Sequence, residues 1–414
     1  MSRYLRLLAL CVALLGAALA GFNALIDPYG YFDPPTLSGV NELPLGFNHR
    51  PLLAKSLAVS ELRPAAIILG NSRAEAAYDP QHPAITLRPA YNLAIGGAGL
   101  SMLHRYFLET LAAGGLRQVI LALDLTMFDP AANAADPDLD AVLLTDATGR
   151  PEGGARKWRR LVFTLLSGTT SSDSWWSTTH QGKPVAIYSR SGLREEAYDI
   201  AQVEREGGPR RASLRVEASF LAGTLRDVES ASFRASYATT LAALQEIVDL
   251  SARRGIQLKL IINPIHARQN YALDAAGLWP LYENWKRDLV AAAQRSPRPE
   301  LVSLWDFSGV SSCTAENLPP HANAASTMRW YRESSHFRRV LGNRVLDRVF
   351  GRPDDGACPG LGQRLEPATL AAALEAQRAA LRDWVETHAA DAAEIEDLAK
   401  QFGRTRSGPI GRLR

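Results

Sequence analysis

Ser72 is the first residue in the chain whose surroundings suit chemistry. It follows the apolar run at residues 65–69 and Gly70-Asn71, and it precedes Arg73 and an alanine-rich segment. That order predicts a buried strand, a tight turn at Gly70 and a helix that begins at or near Ser72. A hydroxyl placed there meets unpaired N–H groups and the positive end of the helix dipole, so it can attack a carbonyl while nearby donors receive the oxyanion. Two roles are open to Ser72: nucleophile, and helix N-cap, the ordinary use of serine at such a junction. A serine nucleophile needs a base. Glu333 and His336 are three residues apart, which in a turn or a first helical turn sets a carboxylate beside an imidazole. The carboxylate can fix the imidazole's tautomer while the other ring nitrogen takes a hydroxyl proton. Glu333 could equally cap the helix expected over residues 337–350. His266 is the alternative base, whereas His49, His82, His104, His180, His321 and His388 have no such arrangement.

Short β-like runs at 65–69, 91–93, 119–123, 258–262 and 301–304 alternate with segments of helical periodicity. Leu100, Leu103, Phe107, Leu108 and Leu111 share one helical face; Tyr237, Leu241, Leu244 and Val248 share another ahead of Gly255. Alternation of this kind predicts a five-stranded parallel sheet with helices on both faces. Functional groups of such a sheet collect beyond the carboxyl ends of its strands. Asn71, Ser72 and Arg73 follow the first strand, and the turn Gly96-Gly97, with free N–H groups, follows the second. Asp124 follows the third, Asn263 and His266 the fourth, and Asp306 and Ser308 the fifth, before the segment 330–337 that carries Glu333 and His336.

Gly70-Asn71-Ser72-Arg73, the Gly96-Gly97 turn and the late Glu333-x-x-His336 together resemble the SGNH/GDSL hydrolase superfamily. The closer resemblance is to its single-pass, membrane-anchored bacterial members that take part in polysaccharide O-acylation. It extends over residues 27–351. It implies a flavodoxin-like three-layer α/β/α domain with Ser72 as nucleophile, His336 as base and Glu333 where the superfamily usually has Asp. It further implies that the N–H groups of Ser72 and of Gly96 or Gly97 form the oxyanion hole, and that a membrane-bound O-acyltransferase is a potential partner. One departure stands out. The superfamily's Gly-x-Asn-Asp block, whose Asn donates to the oxyanion, is missing after the third strand. Asp124 stands there, and an ionised carboxylate only accepts hydrogen bonds. Asn71 and Asn263 are the two residues that could replace the lost donor.

The rest of the chain sets the context. At 414 residues, 46% hydrophobic and 21% charged, it can bury a full core. A formal net charge of +3 gives no electrostatic case for nucleic acid, and nothing calls for a cofactor or a metal. Arg3 and Arg6 precede an apolar run from Leu7 that only Asn23 interrupts before Ile26. Its length favours an uncleaved single-pass anchor through residues 4–26 over a signal peptide cut near Ala18-Leu19-Ala20. The flanking charges place the body outside the cytoplasm, in the periplasm of an inner-membrane protein. Cys11 lies in that segment, so Cys313 and Cys358 are the pair free to form a disulfide in an exported body; two separate buried thiols are the alternative. Residues 27–64, rich in Pro, Gly and Asn, suggest a linker, and 65–360 the α/β domain. An insertion at about 130–232 holds Trp158, Trp175 and Trp176, which suit either sugar stacking or a satellite core. Arg156, Lys157, Arg159 and Arg160 suggest a solvated loop face. Residues 361–402 suggest a helical extension packed on the core, and 403–414 a disordered tail.

Two functions fit these residues. One is an exported serine acyltransferase or esterase acting on acetyl-type esters of a surface or secreted polysaccharide. The other is a non-catalytic polysaccharide-binding or scaffold subunit on a degenerate hydrolase fold.

Overall fold

A computed structural model describes residues 2–151, 153–185, 187–319, 326–353 and 356–404. Its sheet has the strands β1 (Ala66–Leu69), β2 (Ala90–Asn92), β3 (Gln118–Leu123), β4 (Gln257–Ile262), β5 (Val302–Asp306) and β6 (Gln363–Arg364), in the order β2-β1-β3-β4-β5-β6. The first five are parallel and stand where their apolar runs predict. The sheet is nevertheless six-stranded, because β6 pairs antiparallel to β5, Trp305 opposite Arg364. Two polar, exposed residues carry no strand pattern that a sequence could show.

The helices are α1 (Ser2–Ile26), α2 (Pro51–Leu62), α3 (Ser72–Ala77), α4 (Leu100–Ala113), α5 (Pro137–Val142), α6 (Gly154–Leu166), α7 (Gly168–His180), α8 (Glu196–Arg205), α9 (Pro209–Gly223), α10 (Ala231–Arg254), α11 (Ala267–Ala275), α12 (Trp279–Gln294), α13 (Arg339–Val349), α14 (Pro367–Thr387) and α15 (Ala389–Gln401). Successive strand side chains point to opposite faces of the sheet, and both faces are covered. Ile67, Leu69, Leu121 and Leu260 pack with Phe107 of α4, Leu244 of α10 and Trp285 of α12. Ala66, Ile68, Ile120 and Ile261 pack with Ala74 of α3 and Leu341 and Val345 of α13.

Three segments differ from the sequence reading. Residues 27–64 are not all linker: α2 buries Ala54, Lys55, Ser56, Leu57 and Val59. The basic cluster at 156–160 lies on helix α6, not on a loop. In the tail, Arg404 is held by the carbonyls of Leu221, Thr224 and Leu225; the remainder, 405–414, lies outside the described residues. The C-terminal extension does pack on the core, through Leu381, Trp384 and Val385 of α14 and Ile395 of α15.

α1 is long and apolar enough to cross a membrane. Its polar interruption has a structural reason. Asn23 is buried and donates to the Leu165 carbonyl (2.8 Å) and Ser171 Oγ (3.0 Å), while accepting from Ser174 Oγ (2.8 Å). The helix therefore ends docked on α6 and α7. Asp27 then closes it, accepting the N–H groups of Tyr31, Phe32 and Asp33.

Cys313 and Cys358 are bonded, their Cα atoms 5.5 Å apart, and Cys11 is free and exposed. The bridge closes a loop of 45 residues, for which constraint of the unfolded chain contributes roughly 2–4 kcal/mol. Oxidised protein should resist alkylation at these two positions. Cys313→Ser should lower the free energy of unfolding by that amount, read by chemical unfolding with and without reductant; an unchanged unfolding free energy would contradict the bridge.

Candidate active site

Gly70 ends β1 for a steric reason. Its φ is not positive; a Cβ there would stand 2.6 Å from Ala74 Cβ and 3.1 Å from Ala122 Cβ, so glycine lets α3 close down on β3. Asn71, not Ser72, is the N-cap of α3, its Oδ1 accepting the Arg73 N–H at 3.0 Å. Ser72 is thus the first helical residue, and its hydroxyl is free for another partner.

That partner comes from a loop 264 residues away in sequence: Ser72 Oγ is 2.9 Å from His336 Nε2. The other ring nitrogen, Nδ1, bonds Glu333 Oε1. A carboxylate can only accept, so Nδ1 carries the hydrogen and Nε2 is left to take the serine proton. The loop is pinched shut by an antiparallel bridge between Tyr331 and Phe337. Three further contacts hold it. Ser335 N–H donates to Glu333 Oε2 (2.7 Å), Ser334 N–H donates to Ser213 Oγ of α9 (3.0 Å), and Arg73 donates to the Ser335 carbonyl (2.7 Å) and Oγ (3.0 Å). Burial alone would raise the Glu333 carboxyl. The His336 imidazole, the Ser335 N–H and Arg332 outweigh it and bring the group down to about 2.

Asp124 ties the strand ends together. Buried after β3, it accepts from Asn71 Nδ2 and Asn263 Nδ2, each at 2.8 Å, and from the Arg73 guanidinium. Asn263 in turn accepts the Tyr78 hydroxyl at 2.8 Å. Each amide thus gives one of its two Nδ2 hydrogens to Asp124. Backbone donors also stand at the site. Among the described residues the N–H groups of Ser72, Gly96 and Gly97 have no acceptor. Gly97 has a φ of +75°, and a Cβ on Gly96 would lie 3.9 Å from Ser72 Cβ, so the turn borders the serine. Sequence reasoning missed what supports that turn. Lys55, fully buried on α2, donates to the Ala94 carbonyl and the Gly192 carbonyl (3.3 Å) and pairs with Glu75 (3.5 Å), which also accepts from Tyr188 (2.9 Å). Burial pushes the Lys55 ammonium down to about 8, with Glu75 opposing. A lysine in a segment without clear periodicity gave no signal of this role.

His266 is excluded as the base. Its Nδ1 accepts the Arg268 N–H as the cap of α11, its Nε2 bonds the Glu316 carbonyl (2.8 Å), and burial pushes it down to about 4. Asp306 and Ser308 are likewise absorbed in a buried contact with Lys286.

Two adjoining hollows open on Ser72 and His336. One, of about 480 Å³, runs between Gly97, Thr126, Asp129 and α9, with Gln269 at its side. The other, of about 330 Å³, lies against α8 and Arg332. The insertion thus walls the site with α8 and α9. Its tryptophans do not line either hollow: Trp176 stacks on His180, and Trp158 and Trp175 are exposed elsewhere. No protein-family model matches this chain, and neither a curated protein nor a solved structure matches it.

Two outcomes follow from this geometry. Asp124→Asn would aim an amide at two amides and leave Arg73 buried without its counter-ion, which should destabilise the fold by about 3–5 kcal/mol in urea or guanidinium titrations. Glu333 holds its proton less tightly folded, at about 2, than at its ordinary 4.5. Its contribution, roughly 3 kcal/mol, should be complete above pH 4.5 and lost as pH falls through 2. In Glu333→Gln that part of the acid-unfolding curve should flatten; an unchanged curve would mean that Glu333 is not held ionised.

Proposed function

We propose that the chain is an exported, membrane-anchored serine acyltransferase or esterase of the SGNH/GDSL type, acting on acetyl-type esters of a polysaccharide. The observation that carries this reading is the row Ser72 Oγ, His336 Nε2, His336 Nδ1, Glu333. The strand order β2-β1-β3-β4-β5 supports a flavodoxin-like core, in which such groups belong beyond the carboxyl edge. Arg3 and Arg6, in the first turns of α1 and before its apolar run, support a body outside the cytoplasm. Asp129, Asp199, Glu206, Arg215 and Arg332 border the hollows beside Ser72, and such groups can hydrogen-bond a hydroxylated substrate.

In the reaction, Ser72 Oγ bonds to the ester carbonyl carbon as its proton passes to His336 Nε2. Glu333 stabilises the imidazolium, and the N–H groups of Ser72 and the Gly96-Gly97 turn receive the oxyanion. The ester C–O bond breaks, and the leaving oxygen takes the proton from His336, leaving acyl-Ser72. A sugar hydroxyl or water then gives its proton to His336 and attacks the acyl carbon; the bond from that carbon to Ser72 Oγ breaks, and Oγ takes the proton back from His336. Transfer and hydrolysis differ only in that acceptor.

One observation favours the second reading, a binding or scaffold subunit. The side-chain donor that would complete the oxyanion hole is replaced by Asp124, an acceptor to which both nearby amides donate. A chromogenic acetyl ester separates the two. Wild type should form a covalent acyl-enzyme that Ser72→Ala lacks. His336→Ala should slow acylation by about 10⁶-fold and Glu333→Gln by about 10⁴-fold. His266→Ala should retain acylation. Equal labelling of wild type and Ser72→Ala by a serine-directed phosphonate would rule out the enzyme and leave the scaffold.

A further inference from the structure

α6 is amphipathic in the wrong sense for a helix surrounded by water. Its polar side turns toward the protein: Thr164 is buried, and Arg160 donates to Ser56 Oγ (2.9 Å) and to the Val142 carbonyl. Its apolar side turns away. Trp158 is 69% exposed, Phe163 67%, Val162 48% and Leu166 44%. These four positions span a continuous stripe of about a third of the helix circumference. Scattered exposed apolar residues need no explanation, but a contiguous stripe marks a contact surface.

What covers the stripe is indicated by its neighbour. α6 and α7 pack along the end of α1. Leu166 reaches to within 3.8 Å of where a Cβ on Gly16 would be, and Asn23 bonds the Leu165 carbonyl. The α6 stripe is thus continuous with the exposed apolar surface of α1, whose Leu10, Val12, Leu14 and Leu15 lie just beyond Gly16. Arg159, also exposed, lies within the stripe, where a long side chain can extend its charge to lipid phosphates while its stem stays in apolar surroundings.

We propose that α6 lies in the surface of the membrane that α1 crosses, with Trp158, Val162, Phe163 and Leu166 seated among the acyl chains of the leaflet facing the domain. Such a helix, basic on one part and Trp/Phe/Leu-rich on another, binds in the plane of the interface. The inference rests on α1 being a membrane span, and it adds a second membrane contact that fixes the body's orientation. With α6 and α1 bonded at Asn23, the domain cannot swing freely on a tether.

The test uses the full chain, with Cys11→Ser removing the free thiol, reconstituted in phosphatidylethanolamine–phosphatidylglycerol vesicles. An environment-sensitive nitrobenzoxadiazole label is placed in turn at Phe163→Cys, Leu14→Cys and Glu386→Cys, all exposed positions that a label can occupy without disturbing the core. The label at 163 should emit to the blue of the label at 386, lose emission to spin-labelled lipid and resist iodide in water. Iodide quenching at 163 equal to that at 386, with 14 still quenched by lipid, would overturn the proposal and keep the anchor. Water exposure at both 14 and 163 would overturn the anchor and the proposal with it. Protection at 163 from iodide and lipid alike would mean that a protein, a partner or a second copy, covers the stripe, and would overturn it too.

Discussion

A single buried carboxylate, Asp124, sets the geometry at the sheet's carboxyl edge. Burying an unpaired charge costs several kcal/mol, so its persistence requires donors on every open side. They come from Asn71 and Arg73, which bracket Ser72, and from Asn263 after β4. Both neighbours of the serine are therefore fixed to one point. Arg73 also donates through Nε and Nη2 to Ser335, the residue before His336. One guanidinium thus joins the side of the site that offers the hydroxyl to the side that offers the imidazole. The 2.9 Å separation of Ser72 and His336 is a consequence of that shared fixture.

The same constraint explains what the sequence could and could not show. The five parallel strands were legible because a strand buried on both faces must be a short apolar run bounded by turn residues. The meeting of Ser72 with His336 was legible because parallel strands deliver their following residues to one edge, however far apart in sequence. The role of Asp124 was not. Its partners arrive from β1 and β4 and from a helix start, and no spacing in the sequence links them. Taken alone, it looked like a lost oxyanion donor; in place, it is the acceptor to which Asn71, Asn263 and Arg73 all donate. Lys55 was hidden for a related reason. Its use depends on the Ala94 and Gly192 carbonyls, which approach it only after α2 has packed.

The insertion serves two separate ends of the molecule. Two of its helices, α6 and α7, receive the end of α1 through Asn23, which explains the polar residue in an otherwise apolar run. Its last helices, α8 and α9, wall the hollows beside Ser72. The three tryptophans belong to the first group, away from the hollows beside Ser72. A small polar residue makes the link to the second group: Ser213 is the α9 residue that accepts from Ser334 in the histidine loop.

An imidazole carried on a loop must have its backbone held from outside, because the loop has no hydrogen-bond ladder of its own beyond the Tyr331–Phe337 bridge. Arg73 supplies one support and Ser213 another. The second extends further than it first appears. One turn beyond Ser213 on α9, Glu217 forms a bidentate pair with Arg268 (2.9 and 2.8 Å), and Arg268 also bonds Asp391 of α15 (2.6 Å). Arg268 and Glu217 are almost completely buried, so this pair holds only while each charge keeps its partner. The C-terminal extension, remote in sequence from Ser72, therefore fixes the helix on which the histidine loop leans. Residues 389–401 are part of the site's scaffold for that mechanical reason, although none of them touches the hollows.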